Sequence, residues 1–177
     1  MPGGAGGRRI ATFFTADTHF GHAGARALYR RPFASVAAMD EALVERWNAV
    51  VGPGDEVWHL GDFAVRHPDP AAVLARLHGV KHLVPGNNDP AEVRALSGWA
   101  SVCPFVEIER EGVRLVLCHY ALRTWPGQAR GALDLHGHSH GRLKTLPRQF
   151  DVGVDAREFR PVAVGALRGR GAGRNAL

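Results

Sequence analysis

Three histidines lie within five residues of one another late in the chain: His136, His138 and His140. On an extended backbone, residues two apart point to the same face, so the side chains of His138 and His140 can converge. Gly137, in the same segment, lets the backbone pass close to a bulky group. Because imidazole binds Zn, Fe, Mn and Ni, this segment is a candidate metal site. A His-rich surface turn is the alternative, and the segment alone does not decide between them.

Other side chains that can bind metal ions follow apolar segments elsewhere in the chain. In each case the polar residue comes directly after a run that is typical of a buried strand. Active sites of layered α/β folds form at the carboxyl ends of strands, so we expect these side chains to meet. The residues concerned are Asp17 and His19, Asp62, Asn87, His119, and His138 with His140.

Some of these residues also have simpler interpretations. Asp17 could cap a following helix, although a cap does not explain His19 two residues later. The Gly-Asp and Gly-Asn pairs are weak signals individually, since such pairs are common in turns. His59 lies inside the second strand, and we interpret it as a structural or supporting residue rather than a ligand. His67 and His78 are interpreted as ordinary surface imidazoles.

Hydrophobic periodicity predicts the elements that position these residues. Strands are predicted at 10–16, 56–60, 81–84, 102–109, 113–118, 133–136, 150–154 and 161–164, with a hairpin turn at 110–112. Helices are predicted at 23–29, 36–51, 70–78 and 91–96. Ser35 is the predicted N-cap of the second helix, and Asp89 before Pro90 is predicted to start the last one.

Length and composition indicate a single domain, because 177 residues with 45% hydrophobic content can bury a substantial core. No run of eighteen apolar residues exists, so we expect no membrane span. The Gly-rich N-terminus lacks an apolar signal core, so no secretion signal is expected. Cys103 and Cys118 lie in apolar surroundings. We expect buried free thiols, consistent with a reducing cytoplasm, and Cys118 as a core residue rather than a nucleophile.

The formal charge of +5 comes entirely from the two ends of the chain. The body, residues 10–167, is formally neutral, so its composition does not indicate a basic face. We expect flexible tails at 1–9 and 168–177 around one domain at 10–167. Basic tails could add salt-sensitive affinity for phosphate polymers, or they could simply be solvated ends. The arginines responsible are Arg8, Arg9, Arg168, Arg170 and Arg174.

The ordered motifs resemble those of the calcineurin-like metallophosphoesterase superfamily. That family carries Asp-x-His, Gly-Asp, Gly-Asn-His-Asp or -Glu, a lone His, and Gly-His-x-His, in this order. In this chain the corresponding blocks are 17–19, 61–62, 86–89, 119 and 137–140. The resemblance spans residues 10–164. The segments 58–63 and 151–155 are also similar to the small, single-domain bacterial and phage branch of the family.

The resemblance implies an α/β (α+β) fold: a four-layer sandwich of two mixed β-sheets flanked by helices, with two divalent metal ions at the strand ends. Manganese is the expected metal, and iron, zinc or nickel would also suit these ligands. It further implies a phosphoesterase that works by in-line attack of a metal-bridging hydroxide. The small chain leaves little room for a specificity cap, and an open site with an aromatic neighbour would favour phosphodiesters. One ion would take Asp17, His19 and His140, the other would take Asn87, His119 and His138, and Asp62 would bridge both.

Asn88 is the one departure from the family pattern, which has histidine at this position. The family histidine is assigned to protonate the leaving oxygen or hold a phosphate oxygen, and the following acid, here Asp89, to orient it. Asn88 can donate a hydrogen bond but cannot shuttle a proton, and such help is worth roughly 10²–10⁴-fold. We therefore expect good turnover of activated esters and poorer turnover of alkyl monoesters. His22 could substitute for the missing imidazole.

The identity of the substrate is less defined by the sequence. Phosphate esters fit the motifs, including nucleotides and nucleic acids. Arg123 could contact a phosphate, and Trp125 could either stack on a base or be buried. A non-catalytic metal-binding or partner-binding scaffold on the same fold is the alternative function. The motifs leave the oligomeric state open, and the protein is expected in the cytoplasm.

Overall fold

The structure is a computed structural model, and it describes residues 9–168. Nine strands alternate with five helices and two short 3-10 turns, Gln128–Arg130 and Val154–Ala156. The strands are β1 Thr12–Thr15, β2 Glu56–His59, β3 Val80–Leu83, β4 Trp99–Val102, β5 Phe105–Arg110, β6 Val113–Cys118, β7 Leu133–His136, β8 Gln149–Asp151 and β9 Val162–Ala163. The helices are α1 Ala23–Leu28, α2 Val36–Asn48, α3 Pro70–Arg76, α4 Ala91–Arg94 and α5 Val164–Arg168.

The strands form two mixed sheets. In the first sheet the order is β4-β3-β2-β1-β9, with β1 to β4 parallel and β9 antiparallel to β1. In the second sheet the order is β5-β6-β7-β8, where β5 and β6 form a hairpin and β6, β7 and β8 are parallel. The prediction of two mixed sheets flanked by helices is therefore confirmed.

The two sheets pack face to face over an apolar layer. Alternation along each strand places every second side chain in this layer, as expected for strands with one face in the interior. Burial of each large apolar side chain contributes about 1.5–3 kcal/mol to this packing. From the first sheet the layer contains Phe14, Trp58 and Leu60, and from the second Leu115, Leu117, Leu133, Leu135 and Phe150.

Helix α2 illustrates how the helices cover the opposite face of the first sheet. Its N-cap is Ser35, as predicted, and the Ser35 hydroxyl accepts a hydrogen bond from the backbone N–H of Ala38 at 3.1 Å. Met39, Leu43 and Trp47 recur at helical spacing and are buried in the same cluster as Val57 and Trp99 of the sheet. The helix therefore presents one apolar stripe to the strands.

The outer face of the second sheet is covered by the connection between β6 and β7, residues 119–132. Within this connection Trp125 and Ala132 pack on Val116 of β6. The Trp125 indole N–H donates to the carbonyl of Ala132 at 2.9 Å, and the side chain is 5% exposed. Of the two alternatives for Trp125, the buried one is therefore correct, and this ring is not free to stack on a base.

Several predicted boundaries were wrong. The strand predicted at 102–109 corresponds to β5, which begins at Phe105, whereas β4 at Trp99–Val102, which pairs with β3, was not predicted. Pro104 lies between them and cannot donate to a ladder, which explains the break. The strand predicted at 150–154 ends at Asp151, and the one predicted at 161–164 is only two residues long and runs into α5.

Three further expectations have outcomes in the structure. Asp89 does not cap α4, since Pro90 holds the N-cap position. Both cysteines are free thiols, but neither is buried: Cys103 is exposed and Cys118 is half-buried. Burial raises the pKa of the Cys118 thiol, which disfavours the reactive thiolate.

No helix among residues 9–168 combines the length and apolar character needed to cross a membrane. The predicted tails lie outside the described residues, apart from Arg9 and Arg168.

Candidate metal centre

The carboxyl ends of six strands meet at one edge of the sandwich. Parallel registers align the ends of β1, β2 and β3, and likewise those of β7 and β8. The two sheets are joined at this edge by a parallel bridge between Ala16 and Gly153. The backbone N–H of His19 donates to the carbonyl of Asp62 at 3.0 Å, which ties the turn after β1 to the turn after β2.

The turns at this edge place several candidate ligands in left-handed backbone conformations. The φ angles are 58° for Asp17, 50° for His19, 58° for Asp62, 63° for His138 and 48° for His140. For residues other than glycine each such conformation costs about 1–3 kcal/mol and is concentrated at functional sites. The clustering of five at one edge therefore indicates that the fold holds these side chains against a local preference.

The first donor group consists of Asp17, His19 and His140. One donor atom from each lies within 4.8 Å of the others. Within the part of the chain that the structure describes, the Oδ2 atom of Asp17 and both ring nitrogens of His19 are buried without a hydrogen-bond partner. Buried polar atoms are almost always paired, so these atoms fit a bound cation. A carboxylate with two imidazoles is a donor set that suits a divalent transition metal.

His140 is oriented by a buried ion pair behind it. Its Nδ1–H donates to Oδ2 of Asp155 at 2.7 Å, which leaves Nε2 directed towards Asp17, 4.0 Å from Oδ1. Asp155 also accepts two hydrogen bonds from Arg31, at 2.9 and 2.8 Å. Arg31, only 4% exposed, further donates to the carbonyls of Asp17 and Thr18. One arginine thus holds both the turn after β1 and the partner of His140.

The second donor group contains Asp62 and His119. The His119 Nδ1–H donates to the carbonyl of Leu60 at 2.7 Å, so Nε2 of the neutral ring is a bare acceptor. This nitrogen lies 3.6 Å from Oδ1 of Asp62 and 3.2 Å from Oδ1 of Asn87, which is also an acceptor. A cation between these atoms would relieve the contact between acceptors. The geometry therefore fits a second metal ion as well.

Asp62 lies between the two donor groups. Its Oδ2 is 3.5 Å from Nε2 of His19, and Asp17, Asp62 and His119 also offer donor atoms within 4.8 Å of one another. Burial raises the pKa of Asp62, but the nearby His119 and hydrogen bonds from Asn88 outweigh it and hold that pKa below its usual value. An ionised carboxylate at this position can contact a cation in either group.

The pKa values of Asp17 and His19 reflect a crowded, buried site. Burial raises the pKa of Asp17 well above its usual value, and the charges of Asp151 and Asp62 raise it further. Burial lowers the pKa of His19 to about 3. Burial and the neighbouring carboxylates therefore favour the protonated form of Asp17, whereas a bound metal ion would favour the carboxylate.

His138 and Asn87 lie at the exposed mouth of the site. The His138 ring packs edge-on against His119 and Tyr120, with centroid distances of 5.2 and 4.8 Å. Its backbone N–H donates to Oδ1 of Asp17 at 3.1 Å. The structure thus brings all seven predicted ligands to one edge, with these two on the solvent side.

Asn88 and Asp89 hold Asp62 rather than each other. Asn88 donates to the Asp62 carboxylate from its backbone N–H at 2.9 Å and from its side chain at 2.7 Å. The buried Asp89 carboxylate accepts from the backbone N–H groups of Asp62, Phe63 and Gly86, each at 2.8 Å. Asp89 is therefore placed to fix the turns after β2 and β3.

The two glycines at these turns are needed for the close approach. Gly61 has φ +92°, and a Cβ atom there would lie 2.6 Å from Nδ1 of His119. A Cβ atom on Gly86 would lie 2.7 Å from Cε1 of His119. Any larger residue would displace the His119 ring, so the Gly-Asp and Gly-Asn pairs have a steric basis.

The remaining predicted residues have different positions. His22 directly precedes α1, with its ring centroid 5.4 Å from that of His19. His59 is fully buried and pairs through Nε2 with the Thr18 hydroxyl at 2.9 Å, which fits the structural role expected of it. His67 lies 3.8 Å from Asp40. Arg123 is exposed on the connection after β6.

Sequence reasoning missed Arg31, Tyr29 and Tyr120. Tyr29 stacks on His140 with a centroid distance of 3.4 Å, and the exposed Tyr120 packs on His119. Tyr120 directly follows a predicted ligand, so its position was available as a signal. Asp155 was noted only as part of the resembling segment 151–155. Nothing in the local sequence distinguishes Arg31.

Fold and site together define the class of protein: an α/β sandwich of two mixed sheets, with buried carboxylates and imidazoles gathered at one edge. The Gene 66 protein of Mycobacterium phage L5 is 34% identical to the chain, over 82% of this chain and 86% of the phage protein. The chain therefore belongs to the same family as that phage protein. An uncharacterized protein of Methanocaldococcus jannaschii is 27% identical, over 86% of both chains. No protein-family model matches the chain.

A solved protein of unknown function from Aquifex aeolicus has the same fold. It superposes with a TM-score of 0.76 at 21% identity, covering 91% of this chain and 99% of that protein. The phosphoesterase YfcE of E. coli is a more distant likeness, with a TM-score of 0.46 at 20% identity over 81% of this chain and 78% of that one. At that distance the likeness supports no conclusion about activity.

Proposed function

We propose that the protein is a phosphoesterase dependent on two divalent metal ions, with phosphodiesters as favoured substrates. The observation that carries this proposal is the convergence of two donor groups on Asp62, with buried donor atoms that lack hydrogen-bond partners among residues 9–168. A scaffold that binds no metal has no need for such groups, since unpaired buried polar atoms destabilise a fold.

The chain's own residues have distinct roles in this proposal. Asp17, His19 and His140 would hold one ion, and Asn87, His119 and His138 the other, with Asp62 between them. When bound, a pair of divalent ions polarises a phosphoryl group and lowers the pKa of water. Asn87 is neutral, so it adds no negative charge to repel a phosphate.

The mouth of the site suits an anionic ester. Asn88, exposed at the rim, can donate a hydrogen bond to a phosphate oxygen but cannot supply a proton to the leaving group. Tyr29 packs on His140 of the first donor group and Tyr120 on His119 of the second. Between them Asn87, Asn88 and His138 are exposed to solvent. Two ester substituents could therefore extend away from a phosphorus atom at this position, which favours diesters.

The test is hydrolysis of bis(p-nitrophenyl) phosphate in the presence of Mn²⁺, with metal content measured on the same protein. Asp62→Asn should abolish the activity, because it removes the carboxylate common to both groups. Glu41→Gln is the matched control, since it removes one negative charge from an exposed pair with Arg76. No hydrolysis by folded protein that binds two Mn²⁺ ions would favour the scaffold instead.

A further inference from the structure

Exposed positive charge is concentrated in two stretches of the chain, although the body as a whole is formally neutral. Residues 18–39 contain no acidic residue. Residues 112–150 contain one, Asp134, which is 0% exposed. The exposed basic side chains in these stretches include Arg30, Arg123, Arg130, Arg142, Lys144 and Arg148.

Contacts join the two stretches into one surface, which we call the basic face: α1 with residues 29–30, and the connections 119–132 and 141–148. Arg142 donates to the carbonyl of Leu28 at 2.8 Å and lies over the Tyr29 ring at 5.1 Å. Arg148 donates to the carbonyl of Gln128 at 2.9 Å. Charges from three separate segments are therefore neighbours.

The basic face begins at the candidate metal centre. Tyr29 stacks directly on His140, and Arg142 follows His140 by two residues. From there the connection to β8 continues to Arg148, beside the 3-10 turn of the other connection. A long anion that follows these charges would enter the metal centre at its Tyr29 side.

The acidic side chains near the basic face do not neutralise its charge, because they are buried or already paired. Asp155 is paired with Arg31 and His140, and Asp151 is 6% exposed and accepts hydrogen bonds from the backbone of Gly141 and Gly153. The exposed acids nearest in the sheet are on the edge strand β5, at Glu107 and Glu109. They would limit the anion's path on that side.

We propose that the basic face binds the backbone of a nucleic acid strand, one of whose phosphodiesters enters the metal centre. The proposal rests on the proposed phosphoesterase function and names its substrate class. A series of basic side chains spread over two loops matches a polymer with regularly spaced phosphates better than a single small ester. The exposed Tyr120 ring also suits a base next to the bound phosphate.

An anionic membrane is the competing partner, since Leu28, Leu143 and Leu146 are 61%, 46% and 40% exposed near these charges. Membrane binding usually needs an apolar stripe that can enter the lipid, with the charges on the flanks. Here basic residues alternate with the leucines along 142–146. This arrangement favours a nucleic acid strand, and vesicle binding becomes one outcome of the test.

The experiment measures binding of a fluorescein-labelled single-stranded DNA 20-mer by anisotropy, using the full chain with Asp62→Asn so that the strand stays intact. The test variant adds Arg130→Gln and Lys144→Gln. The matched control adds Arg76→Gln and Arg160→Gln, whose side chains pair with Glu41 and Glu158. Terminal arginines are identical in both, so their contribution cancels.

We expect the test variant to bind at least tenfold more weakly than the control. The slope of log K against the logarithm of the salt concentration should become shallower by roughly 0.7 for each lost phosphate contact. Equal affinity of the two variants, or no binding by either, would overturn the inference. So would tighter binding to vesicles containing phosphatidylserine than to the DNA. Because binding is measured without turnover, its failure is distinct from a failure to hydrolyse bis(p-nitrophenyl) phosphate.

Discussion

Asp155 lies behind His140, and its carboxylate fixes which ring nitrogen faces the donor group. In Asp155→Asn the amide could turn its NH₂ group towards Nδ1, which would place the proton on Nε2 and remove the ligand lone pair. Loss of a partner of this kind weakens metal affinity by about 10–100-fold. We therefore expect isothermal titration calorimetry of Asp155→Asn with Mn²⁺ to show a lower affinity at one site and an unchanged affinity at the other.

Glu158→Gln is the control for this substitution, because Glu158 is three residues away and exposed. If Asp155→Asn binds two Mn²⁺ ions with affinities within a factor of two of those of the unsubstituted protein, Asp155 does not position His140.

The convergence of the candidate ligands could be predicted from the sequence, because each lies within four residues of a strand end and these ends meet at one edge. Arg31 could not, because it lies 124 residues from Asp155 and its role exists only after both sheets have formed. Local spacing carries no information about a contact of this range.

Asn88 provides a second prediction. Asn88→His should raise turnover of alkyl monoesters relative to p-nitrophenyl esters by roughly 10²–10⁴-fold, because only poor leaving groups need a proton. The ratio of the two rates is the measurement, since any loss from the missing hydrogen bond to Asp62 affects both substrates.

Asn88→Gln controls for the change in size. If Asn88→His leaves the ratio unchanged, another group supplies the proton, and His22 would then be the first residue to substitute.

Among the elements, the two sheets are joined at the end opposite the metal centre by Glu56. It begins β2 in the first sheet and accepts hydrogen bonds from Arg110 of β5 in the second, at 2.7 and 2.8 Å, and from Thr12 of β1 at 3.0 Å. Burial raises the pKa of Glu56, but these bonds outweigh it and hold the pKa below its usual value.

Glu56→Gln should therefore destabilise the protein by about 1 kcal/mol at pH 7, a modest value because Arg110 is partly exposed. The lowered pKa means that this stability is present above the unfolded-state pKa of glutamate, about 4.3. It is lost as the pH falls through the folded-state value. Urea denaturation at pH 7 and at pH 3 measures the free energy of unfolding of both proteins. The difference between Glu56→Gln and the unsubstituted protein should be smaller at pH 3 than at pH 7.

Glu41→Gln, which breaks a fully exposed pair, should show no comparable loss. A difference for Glu56→Gln that grows as the pH falls would contradict the expected sign.

Most elements could be predicted because their periodicity is local, as in α2 with its Ser35 cap. The division between β4 and β5 could not, because they are short strands close together in the sequence and only their pairing partners show that they belong to different sheets. Pro104 was the available signal. The short β9 depends on its pairing with β1 rather than on its own sequence.

For the whole molecule, metal binding should be linked to stability. At 100 times the dissociation constant, a ligand that binds only the folded state adds about 2.7 kcal/mol. For a chain of this size that corresponds to a rise in Tm of about 5–10 °C. Calorimetry with Mn²⁺ and with EDTA measures the rise, which Asp62→Asn should reduce. An equal rise in that variant would place the bound metal elsewhere.

The net charge gave no indication of the basic face. Net charge adds all charged residues together, whereas the fold determines which of them become neighbours on the surface. The neutral body combines stretches without exposed acids with others, such as α2 and β5, that carry them. Two sheets flanked by helices were predictable from the motifs, whereas the thin loop layer over the second sheet was not.

The left-handed residues have a consequence for how this chain responds to selection. Glycine adopts such a backbone without the steric cost that Asp17, His19, Asp62, His138 and His140 carry. When a chelator removes metal, replacing His19 or His138 with glycine would relieve local strain and remove an imidazole that has no metal to bind. Asp17, Asp62 and His140 also make hydrogen bonds, so their replacement would cost more. A library screened only for heat resistance without metal would therefore discard the candidate site first, whereas the same screen with metal would retain it.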